Sequence, residues 1–88
     1  MRDQDIYRTL GIRLRARRRA LDLTQRDVAL ALGLTFQQIH KYEAGIVAIP
    51  VARLVKLARV LETTLSALAD GIPAGAGLRA VEARPVAA

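Results

Sequence analysis

Eighty-eight residues, 52% of them hydrophobic and none of them cysteine, suffice for one modest core and exclude a disulfide framework or a thiolate metal site. A single histidine cannot build a metal cage, so no metal or other cofactor is expected. The formal net charge of +6 favours a polyanionic partner, while the lack of any apolar run near the roughly 20 residues of a bilayer span, and of an apolar leader after MRDQD, predicts a soluble, cytoplasmic chain that is not membrane-bound.

The chain opens with a frayed MRDQ and then a long helix from about Asp5 to Leu21. Leu10, Leu14, Arg17, Arg18 and Leu21 share one stripe of it, which Ile6 or Tyr7 can extend. Arg18 on that inner stripe is unusual. Arg8, Arg13, Arg15, Arg17 and Arg19 read mostly as a solvated basic face, with phosphate within reach of those nearest the helix end.

Two short helices follow. Thr24 stands three residues before Asp27 and just ahead of Val28, Ala29 and Leu32, which is the signature of a capped helix over about Gln25 to Leu32. Gly33 comes after the last periodic apolar residue, where a left-handed conformation ends a helix at little cost. Thr35 supplies a second cap, opening a helix over about Phe36 to Ala44 that Gly45 stops. A step of about 100° per residue puts Ile39 and Tyr42 on its inner face with Glu43 beside them. Phe36, Gln37, His40, Lys41 and Ala44 then face outward, although no core needs them there. Glutamine can pair with adenine N6 and N7, lysine can donate to guanine O6 and N7, and phenylalanine can touch a thymine methyl, so this face carries the side-chain types of a major-groove reader.

After Gly45 comes IVAIP, then a fourth helix over about Val51 to Leu61 with Leu54, Val55, Leu57, Ala58 and Leu61 inward and Pro50 at its first turn. Glu62 to Thr64 is a short connection, and Thr64 can cap a fifth helix from about Leu65 to Ala69 that Gly71 and Pro73 end. The expected fold is therefore all-α, five helices around one core over residues 1–71. Residues 72–88, rich in Ala, Gly and Pro, are expected to form a flexible tail with weak helical periodicity around Leu78 to Arg84. No Ser/His/Asp constellation, carboxylate pair or phosphate loop appears, and an enzyme is not expected.

The stretch RALDLTQRDVALALGLT followed by QQIHKYEAG resembles the lambda-repressor and Cro class of helix-turn-helix proteins, the bacterial and phage Xre family. The phrase GLTFQQIHKYEAG is similar to a branch of small bacterial regulators in that family, and the likeness runs from about Leu10 to Gly71. It implies a lambda-repressor-like domain and a sequence-specific transcription regulator that binds double-stranded DNA, as a homodimer on a palindromic site. It further implies base contacts from Phe36, Gln37 and Lys41, and backbone contacts from Gln25, Thr35, Gln38 and His40. Also implied is an ion pair between Arg18 and the Glu43 of the Y-E-x-G motif.

The sequence departs from the family pattern at three points. Asp22 stands where relatives carry glycine, Ala44 replaces a polar or basic residue, and IVAIP replaces a polar, basic loop. Those apolar side chains must enter the core, which has room for about one of them, or meet another molecule. The expectation is a dimer contact from Val47, Ile49 and Val51 facing Thr64 and Leu65. The competing expectation is an antitoxin or adaptor in which this patch receives a protein co-regulator and DNA binding is secondary.

Overall fold

The computed structural model describes residues 1–73 and consists, among those residues, of five α-helices and no strand: α1 (Asp3–Ala20), α2 (Gln25–Leu32), α3 (Phe36–Ala44), α4 (Val51–Val60) and α5 (Leu65–Ala69). The expected boundaries agree to within a residue or two, and the one real difference is the start of α1. Arg2 accepts from the backbone N–H groups of Asp5 and Ile6, and Asp3 and Asp5 place negative charge on the positive end of the helix, so the first turn forms without a side-chain cap. The tail expected over 72–88 lies outside the described residues from position 74 onward. Ile72 itself packs against the core.

Four helices end in the same way. In each, the residue after the C-cap is left-handed or the cap itself is, and the next N–H reaches back to a carbonyl five residues earlier: Leu23 to Arg18, Leu34 to Ala29, Ile46 to Lys41 and Thr63 to Ala58. Glycine fills the left-handed position at Gly33 and Gly45, but Asp22 (φ 56°) and Glu62 (φ 54°) fill it after α1 and α4. Asp22 thus keeps the backbone conformation that the family's glycine suits, and a short polar side chain tolerates it.

The core gathers Leu10 and Leu14 of α1, Val28 and Ala29 of α2, Ile39 and Tyr42 of α3, Leu57, Ala58 and Leu61 around α4, and Leu68 of α5. Leu54 and Val55 are only half-buried. Gly11 is buried too, facing α3: a Cβ there would lie 2.6 Å from the Tyr42 carbonyl oxygen and closer still to that of Glu43. The lack of a side chain is what lets α1 and α3 approach.

Two of the arginines read as a solvated face are not. Arg17 donates from Nε to the Leu61 carbonyl at 2.7 Å and from Nη2 to that of Glu62 at 3.1 Å, closing the carboxyl end of α4. Arg13 donates from Nη1 to the carbonyls of Leu68 at 2.7 Å and Asp70 at 2.6 Å, doing the same for α5. The physical reason is that the last carbonyls of a helix lack intrahelical partners and carry the negative end of its dipole, which a guanidinium fork matches.

The loop after Gly45 also differs from expectation. Both Val47 and Ile49 pack against the core, not one of them, while Ile46 and Val51 stay 66% and 72% exposed. Val47 and Ile49 are half-buried while Ile46, Ala48 and Pro50 around them are exposed, so this short connection delivers two side chains to the core.

Candidate nucleic-acid interface

The site begins with two caps. Thr24 Oγ1 accepts from Asp27 N at 3.0 Å while the Asp27 carboxylate accepts from Thr24 N at 2.8 Å, so α2 opens on a reciprocal capping box. The backbone N–H of Thr24, and after it the Thr24 side chain, hold the Asp27 carboxyl below the usual carboxylate range. Thr35 Oγ1 accepts from Gln38 N at 3.2 Å and opens α3. Gly33, at φ 67°, sets the turn between them.

Glu43 locks the pair of helices to α1. Its carboxylate accepts from Arg18 Nε at 2.7 Å and Nη2 at 2.9 Å, a two-pronged pair whose side chains are nearly buried, and from Gln25 Nε2 at 3.1 Å. Arg18 also donates from Nη1 to the Leu23 carbonyl at 2.8 Å. The hydrogen bond to Glu43 raises the Arg18 pKa further above its ordinary value, against the opposing effect of burial. One carboxylate therefore joins α1, α2 and α3. The bond to Gln25 was not foreseen from sequence; it uses one of the two amide N–H groups and leaves the other free.

On α3, Ile39 and Tyr42 are buried, whereas Phe36, Gln37, His40, Lys41 and Ala44 are exposed on the opposite side. Gln38 is half-buried, and its Nε2 donates to the Tyr42 hydroxyl at 2.9 Å; Arg53 of α4 donates to the same oxygen at 2.7 Å. Phe36 leans on α2, its ring beneath the guanidinium of Arg26. An open cleft runs between the end of α1 and α3, walled by Arg15, Arg19, Arg26 and His40 with Arg18 and Glu43 at its base.

Gln37, His40 and Lys41 stand exposed on one side of α3, Gln25 and His40 both line the cleft, and Phe36 and Thr35 lie at the turn. Val51, Thr64 and Leu65 are exposed elsewhere, beyond the packed Val47 and Ile49. Among the described residues no three His, Cys, Asp or Glu side chains cluster to hold a metal ion, and no helix is long and apolar enough to cross a membrane.

A helix-turn-helix family model, HTH_3, matches residues 14–68. An uncharacterized HTH-type transcriptional regulator of Sinorhizobium medicae is 35% identical over 68 residues, covering 77% of this chain and 49% of that protein. The HTH-type regulator y4aM of Sinorhizobium fredii is 38% identical over 69 residues, 78% of this chain and 47% of its own. An uncharacterized transcriptional regulator in the ATPase CF(0) region of Rhodospirillum rubrum is 46% identical over 52 residues, 59% and 48% of the two chains. The chain spans about half the length of the curated relatives it matches. No solved structure gives a significant match. The matched region holds the whole of the capped pair, its turn at Gly33 and the Arg18–Glu43 bridge, and the chain belongs to the Xre-type family of DNA-binding helix-turn-helix proteins.

Proposed function

We propose that the chain is a sequence-specific transcription regulator that lays α3 in the major groove of double-stranded DNA and acts as a homodimer on a palindromic site. One observation carries this reading: α3 buries Ile39 and Tyr42 and leaves Gln37, His40 and Lys41 exposed on a helix whose start and end are both fixed by caps. Phe36, Gln37 and Lys41 are the base-reading residues. Gln25, Thr35, Gln38 and His40 hold the phosphate backbone, which positions the protein without reading sequence. Val51 and Leu65, with Thr64 and the outer edges of Val47 and Ile49, form the contact between subunits.

Selection of bound sites from random duplexes tests the reading, and it should recover two inverted half-sites at fixed spacing. Gln37→Ala should then cost about 1 to 3 kcal/mol on the selected site and relax one or two positions, whereas Gln25→Ala should weaken all duplexes alike. Affinity should fall steeply with salt as Lys and Arg displace counterions. Equal losses on selected and random DNA for Gln37→Ala would remove it as a reader.

The exposed Ile46 and Val51 support a second reading, in which the patch receives a different protein and the chain serves as an antitoxin or adaptor. A nearly flat salt dependence with a monomeric chain in solution is its signature.

A further inference from the structure

The helices that meet at Gly33 share one side-chain contact that the fold does not require. Arg26, the second residue of α2, places its guanidinium carbon 4.7 Å from the centroid of the Phe36 ring, the first residue of α3. Arg26 is exposed and the ring keeps 38% of its surface, so neither fills the core. Among the described residues Arg26 makes no hydrogen bond or ion pair: the adjacent Asp27 carboxylate is committed to Thr24, and the salt bridge is that of Arg18 and Glu43. Its N–H donors are unspent. Both residues also sit beside capped helix starts, which fixes their backbones.

A guanidinium lying on an aromatic face keeps its donors in its own plane, directed outward from the stack. Such a fork fits guanine O6 and N7, and the ring fits the methyl of thymine. A guanidinium and a ring 4.7 Å apart lie within the span of two stacked base pairs, whose rise is roughly 3.4 Å, so the two side chains can address adjoining base pairs.

We propose that Arg26 and Phe36 form one reading unit for a thymine beside a guanine, with Arg26 the guanine reader and Phe36 both a thymine contact and the platform that orients it. This rests on the reading of α3 as a major-groove helix.

The test uses the full chain and the duplex recovered by selection from random DNA, which should contain adjacent T and G in each half-site. Replacing that guanine by 7-deazaguanine removes N7 and should weaken the wild type about five- to tenfold. Replacing the thymine by deoxyuridine removes one methyl and should weaken it about fourfold. Arg26→Gln should abolish the response to 7-deazaguanine, and Phe36→Ala should abolish the response to deoxyuridine while also reducing the guanine response by more than twofold. Arg26→Gln should melt as the wild type does, and because each response compares two duplexes on one variant, any loss of stability in Phe36→Ala, whose residue keeps only 38% of its surface, does not enter the comparison. If Arg26→Gln weakens every duplex equally and lowers the salt dependence by about one ion, Arg26 is a phosphate contact and the unit does not exist. If the wild type shows no sequence preference at all, the major-groove reading fails and the unit fails with it.

Discussion

Gly11 of α1 lies against the Tyr42 carbonyl of α3, where a Cβ would come within 2.6 Å of the oxygen. The neighbouring atoms are backbone and cannot swing aside. Gly11→Ala gains about 1 kcal/mol of helix propensity, yet overpacking costs about 1 to 3 kcal/mol even where side chains can adjust. The expected outcome is a net loss of stability in denaturant unfolding. Gly33 offers the contrast, since nothing lies within 4 Å of its Cβ position and only its φ of 67° resists a side chain. Gly33→Asn should recover much of what Gly33→Ala loses, because asparagine tolerates that conformation; no residue should rescue position 11.

Glu43→Ala removes the acceptor for Arg18 and Gln25 together and strands a nearly buried guanidinium. A loss of about 3 to 5 kcal/mol is expected for such a broken buried pair. The double variant with Arg18→Met should lose less than the sum of the two singles, since it leaves no unpaired charge. Additive losses in urea unfolding would mean that the two side chains act independently.

The capping box makes part of the stability depend on pH. The folded pKa of Asp27 lies below its ordinary value of 3.8, so its contribution is present above that value and disappears as the pH falls through the lower, folded one. Asp27→Asn should therefore be less stable than wild type near neutrality, and the gap should narrow below about pH 4. Melting curves at pH 7 and pH 3 give the comparison. Thr24→Ala should cost about 1 kcal/mol.

A test of the subunit contact must avoid Val47 and Ile49, whose replacement would disturb the core they pack against. Val51→Lys and Leu65→Lys touch side chains that are exposed in the single chain. The pair should turn a dimer into monomers by sedimentation with the melting of the monomer unchanged, and binding to a palindrome should weaken by more than binding to one half-site. A dimer that survives both changes places the contact elsewhere.

Both central helices were legible because everything that delimits them is local: Thr24 and Asp27, Gly33, Thr35 and Gly45 lie within a few residues of what they cap. The outward face of α3 followed from helical spacing alone. The roles of Arg13 and Arg17 did not, since their acceptors stand 44 to 57 residues away along the chain. Charge pattern shows only that an arginine is present, not whose carbonyl it meets. Gly11 did leave a signal, a glycine inside a helical stretch on the inner stripe beside Leu10 and Leu14, where it costs about 1 kcal/mol relative to alanine unless something must come close. The resemblance assigns Gln25 to the DNA backbone; its bond to Glu43 depends on the angle at which α2 and α3 meet, which spacing does not give.

The arginines of α1 have a consequence for geometry at longer range. Arg18 fastens this helix to α3, Arg17 fastens it to the end of α4, and Arg13 fastens it to the end of α5. The helix that would enter the groove and the helices that bear Val51 and Leu65 are therefore pinned to a single strut. In a dimer joined through those residues, the interval between the two reading helices is a fixed gauge, and a site with one base pair too many between its halves must twist its own DNA to be bound.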